Sequence, residues 1–138
     1  MYPSKNEILD HPIHFPEELI NMVLEWKKTC YTKDVRSSIE KKNTALARLV
    51  AAITTSFHRK NPSIVFTPDC NPHYNTTEHC IYLSSTNPSI ITTLHETAHY
   101  LFGPSEHTAC RWSVQLFKLC FPDAYKKLVW NRHMLKHP

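Results

Sequence analysis

One glycine, Gly103, stands against ten prolines in this chain of 138 residues. Glycine lets a backbone approach a phosphate closely and take positive φ in a tight loop. With only one, neither GxGxxG nor a P-loop can be written here, so nucleotide-binding Rossmann and P-loop folds are excluded. The same scarcity makes the glycine informative. Gly103-Pro104 closes an apolar run and reads as a helix stop, because glycine suits the position after the last turn and proline cannot continue a helix.

The remaining composition, 41% hydrophobic and 20% charged, fits one globular domain, expected over 1–138 with its core at about 37–121. No apolar run approaches the roughly 18 residues of a membrane span, and no signal-type segment follows MYPSKNEILD. No membrane partner is therefore expected. The cysteines (Cys30, Cys70, Cys80, Cys110 and Cys120) are odd in number and form no CxxC pair. That pattern predicts reduced thiols and a cytoplasmic location. The net charge of +4 is dispersed over pairs such as Lys41-Lys42, Arg59-Lys60 and Lys126-Lys127. A solvated surface explains it, and a nucleic-acid partner stays open without support. Ten histidines direct attention to metal chemistry.

Periodicity predicts a helix over 16–30 (PEELINMVLEWKKTC), with Leu19, Met22, Val23 and Trp26 inward, acids early and lysines late. Asp34 or Ser37 can cap a longer second helix. Its buried side is Ile39, Ala45, Leu46, Leu49, Val50, Ile53 and Phe57, and Asn61-Pro62 is its stop. Two short strands are expected at 63–67 (SIVFT) and 79–84 (HCIYLS), joined in hairpin fashion by a turn-rich piece. In the second strand, alternation buries either Cys80 and Tyr82 or Ile81 and Leu83. Pro88 can open a third helix ending at Phe102. Ser105 can cap a fourth reaching about Phe121, and 122–135 is expected as a short last helix. The fold class read from this order, α-α-β-β-α-α, is α+β, with helices packed on a small β-sheet.

The third helix carries His95-Glu96-Thr97-Ala98-His99. Histidines at i and i+4 lie one above the other on a helix face, so both imidazoles reach one metal ion, and the glutamate between them sits beside its open position. There it can take a proton from a bound water and later deliver it to a leaving amine. Chance placement of this composition gives about 0.04 such motifs, so the pattern is specific.

A catalytic zinc takes three protein ligands and one water, and Glu106 and His107 are both candidates for the third. At about 100° per residue, Thr108, Arg111, Gln115 and Lys118 fall on one side of the fourth helix, the expected solvent face. Glu106, Ser113, Phe117 and Cys120 lie opposite, flanked by Ala109 and Cys110. A carboxylate pointing inward from the first turn is costly unless paired or metal-bound, which favours Glu106. His107 stays open as the alternative ligand or as an oxyanion-stabilising donor. A weaker cluster, Cys70-x-x-His73 with His79-Cys80, has the ligand types of a structural zinc without a standard spacing.

SIVFT, then HCIYLS, then IITTLHETAHYLFG resembles the core of the small HExxH zincins. It is similar in particular to the ImmA/IrrE, SprT-like and WLM metallopeptidases and to small metallopeptidases of phages and mobile elements. The resemblance spans about 37–121 and implies a minimal zincin-like fold. It also implies zinc as cofactor, His95 and His99 as ligands and Glu96 as general base. Glu106-x-x-Ala109 looks like the region that supplies a glutamate ligand in ImmA/IrrE proteins, whereas the WLM pattern uses a histidine. By this resemblance the chain is expected to be a zinc-dependent metallopeptidase acting on a protein or peptide substrate, laid along an edge strand formed by 79–84. The rivals are a catalytically inactive zinc-binding interaction module, a non-haem Fe(II) enzyme using the same His/His/Glu set, and a DNA-associated protease.

Overall fold

The structure, a computed structural model, describes residues 2–68 and 71–136. The fold is α+β, with a helical layer over a small sheet. Four helices build the main core: α2 (Glu17–Thr29), α4 (Ile39–Ser56), α5 (Ile90–Phe102) and α6 (Glu106–Cys120). Two short helices, α1 (Lys5–Asp10) and α3 (Lys33–Arg36), precede α2 and α4 respectively. The apolar stripes close on one another as expected: Leu19, Val23 and Trp26 meet Leu46, Leu49 and Ile53, with Leu94, Trp112 and Leu116 completing the cluster. Burying side chains of this size contributes roughly 1.5–3 kcal/mol each. The Trp26 indole N–H donates to Ala45 O at 2.8 Å, so its polar edge is satisfied inside the core. Ile39 departs from expectation. It is half exposed at the first turn of α4, because Ser38 rather than Asp34 or Ser37 is the cap and Thr32 caps the separate α3.

The sheet corrects two expectations. β1 (Ser63–Thr67) and β3 (Cys80–Ser84) run parallel, with Ile64 opposite Ile81. A short β2 (His73–Asn75) pairs antiparallel with β3, giving the order β1-β3-β2. The hairpin is therefore β2–β3, not β1–β3. Its turn is held by Asn75 Oδ1, which accepts from Glu78 N at 3.0 Å, and by His79 in left-handed backbone at φ 52°. Consequently 79–84 is the central strand and has no free edge, so it cannot receive a substrate strand. Ile81 and Leu83 face the helices against Val50, whereas Tyr82 turns to the other face and stacks on His73 at 4.8 Å. Cys80, at the strand's start, is buried as well.

The chain ends also differ from expectation. α7 (Pro122–Lys127) is followed by a hairpin of β4 (Val129–Asn131) and β5 (Met134–Lys136) where a continuing helix was expected. Val129 and Trp130 favour strand, and Arg132 takes φ 59° in the turn. At the other end, α1 is closed by a Ser4/Glu7 capping box and packs on the α6 face expected to meet solvent. Gln115 on that face donates to Ile8 O at 2.8 Å and His11 O at 3.0 Å and accepts from Ile13 N at 2.7 Å. Among the described residues, no helix is long and apolar enough to cross a membrane.

Candidate metal centre

α5 begins at the Ser89 cap, whose Oγ accepts from Thr92 N at 3.3 Å, one residue after the proline expected to open it. Its buried face is Leu94 and Ala98 with Thr93 and Thr97, whose hydroxyls bond back to the helix carbonyls. That burial turns His95, Glu96 and His99 toward a cleft of about 610 Å3 between α5, β2 and the turn into α6.

The turn places the third group. Gly103 adopts φ 102°, ψ −167°, a conformation essentially reserved for glycine. Ser105 caps α6, so Glu106 enters at its first turn and its carboxylate faces the two imidazoles. Gly103→Ala meets no neighbouring atom, so its cost is backbone strain of about 1–3 kcal/mol. Chemical denaturation should show that loss together with weaker metal binding, because the Gly103 carbonyl also holds His99.

His95 Nε2 lies 3.3 Å from Glu106 Oε1, and His99 Nε2 contacts the same oxygen. One donor atom from each of these three residues fits within 4.8 Å, the grouping among the described residues that could hold a metal ion. His99 Nδ1 lies 2.9 Å from Gly103 O, which can only accept, so Nδ1 carries the proton. In the neutral ring Nε2 is then a lone pair facing a carboxylate oxygen, and two acceptors in contact need a cation between them, whether a proton or a metal. Burial lowers the His95 pKa, against the opposing pull of Glu106, and so favours the neutral ring a metal requires. For Glu106, burial alone would raise the carboxyl. The Tyr2 hydroxyl, which donates to it, and the two histidines reverse that and leave it lowered.

Glu96 is 6% exposed. Burial pushes its carboxyl up to about 7; Glu106 adds to the rise and His99 opposes it. The Tyr74 backbone N–H of β2 donates to it, so the free edge of β2 faces the centre. A proton-accepting carboxylate thus sits beside the three converging donors, poised near neutral pH.

His107 is not part of the cluster. It points away, with Nε2 3.0 Å from Glu7 Oε2, and ties α1 to α6. His107→Ala is expected to keep the metal content of the parent, measured by elemental analysis, while loosening α1. Among the described residues, the weaker cluster does not converge either. The His73 ring stacks on Tyr82 and its Nδ1 lies 2.8 Å from Asn71 O. His79 Nδ1 lies 3.4 Å from the Tyr74 hydroxyl, and Cys70 falls outside the described residues.

Sequence reasoning did not find Tyr2 or the Tyr74 N–H. The Ser4-x-x-Glu7 capping box could have revealed α1, which carries Tyr2 toward the site, but nothing in the pattern marks the tyrosine itself. Compared with known proteins, the chain matches no family model, no curated protein and no solved structure.

Proposed function

We propose that the chain is a zinc-dependent metallopeptidase that works in the reducing cytoplasm. The observation that carries this reading is the convergence of His95 Nε2, His99 Nε2 and Glu106 Oε1 on one point, with buried Glu96 alongside. Two imidazoles and a carboxylate are a donor set suited to catalytic zinc, and the His99–Gly103 bond leaves the metal-facing nitrogen free. When bound, the zinc supplies a Lewis acid that brings the pKa of a water toward about 7 and polarises a carbonyl.

The chain's own groups do the rest. The Glu96 carboxylate takes a proton from the water whose oxygen bonds to the carbonyl carbon. It returns that proton to the leaving nitrogen as the C–N bond breaks, leaving a carboxyl and an amine. The free edge of β2, with Tyr74 and Thr76 lining the cleft, is where an extended substrate chain can pair. Four described cysteines are free, in keeping with a reducing compartment.

The test is zinc content by elemental analysis, followed by cleavage of a quenched peptide library with the chelator-stripped and zinc-reloaded protein. One zinc per chain with turnover that returns on reloading supports the reading. Zinc that only raises folding stability, with no turnover, makes the chain a binding module. Preferential uptake of iron with oxygen consumption makes it an oxygenase.

A further inference from the structure

The cleft continues past the ring of Tyr2, which stacks on His133 at 3.9 Å, into a second cavity of about 240 Å3. Tyr2, Pro72, His95 and Glu96 line both spaces, so the smaller one opens directly at the reacting centre. Away from that mouth its walls are Ile91, Val114, Met134 and Leu135, with the small buried Cys110 and Ser113 beneath. It has room for about eight waters at ~30 Å3 each, enough for the four heavy atoms of a leucine or methionine side chain with space to spare.

We infer that a residue flanking the scissile bond seats an aliphatic side chain of leucine or methionine size in the smaller cavity. This rests on the peptidase reading above. Selection comes from the shape of the apolar wall, which the β4–β5 hairpin completes, and a shortened side chain there forfeits affinity by about ten-fold or more.

The test uses the zinc-loaded protein and two hydroxamates that differ only in carrying an isobutyl group or a hydrogen. Binding is measured by calorimetry and zinc content by elemental analysis. Wild type is expected to prefer the isobutyl compound about ten-fold or more. In Thr92→Phe, which fills the cavity, and Met134→Asp, which charges its rim, that ratio should collapse toward one. Equal binding of both compounds by zinc-loaded wild type would overturn the inference and leave the metal centre standing. Absence of bound zinc and of any hydroxamate binding would overturn the metal reading, and this inference with it.

Discussion

Glu96→Gln is expected to lower peptide hydrolysis by about two to four orders of magnitude, the usual contribution of a positioned proton carrier, while zinc per chain stays that of the parent. Glutamine keeps the size and the bond from Tyr74 N–H but cannot accept the proton. Zinc content and initial rates on one quenched peptide check the two halves together. The same variant has an opposite effect on the metal-free protein. Its folded state holds the Glu96 proton up to about pH 7, whereas the unfolded chain releases it near 4.5. Below pH 4.5 the group contributes nothing to pH dependence. Between 4.5 and 7 ionisation favours the unfolded chain and stability falls, and above 7 the full cost of the buried anion persists. Metal-free Glu96→Gln should therefore match wild type near pH 4 and exceed it by on the order of 3 kcal/mol at pH 8, measured by urea denaturation. Equal stabilities at pH 8 would mean that Glu96 is hydrated in the metal-free protein.

Glu106→Ala is expected to cost zinc affinity by more than about a hundred-fold, beyond the effect of losing a mere outer partner. The reason is geometric: Glu106 Oε1 is the atom both Nε2 atoms approach, so its removal leaves two imidazoles with no anion to balance the ion. Competition with a calibrated zinc chelator measures the loss, and His107→Ala is the matched control one residue along. If the alanine at 106 retains wild-type affinity while that at 107 does not, the ligand has been assigned to the wrong residue.

The parts of this molecule that could be read from the sequence are those governed by short-range rules. His95, Glu96 and His99 share a face because helical geometry puts them there. Glu106 turns inward because Thr108 and Lys118 mark the outer side of the same helix. The main core followed from periodicity at Leu19, Val23, Trp26, Leu46, Leu49 and Ile53, with Phe117 and Cys120 from the inner side of the fourth helix. What was not legible depends on contacts between distant segments. The strand at 79–84 reads the same at an edge or in the centre, and only the three residues of β2 decide which. Gln115 looks like a solvent-facing residue until Ile8 and His11 arrive to bond it. Val129 to Lys136 carry too little pattern to separate a fraying helix from a hairpin whose turn residue, Arg132, takes positive φ. Tyr2 reaches the centre from the far end of the chain, and no spacing rule connects it to Glu106.

The three converging donors lie within twelve consecutive residues, on two helices joined by a three-residue turn. Closing so short a loop costs little chain entropy, so this piece can assemble from local encounters alone. The surroundings of the cleft are put together differently, since Tyr2 and the 129–136 hairpin approach from opposite ends of the polypeptide. The placement of the three donors therefore depends on neither terminus, and a release of those termini would widen the cleft while leaving the donor atoms in place.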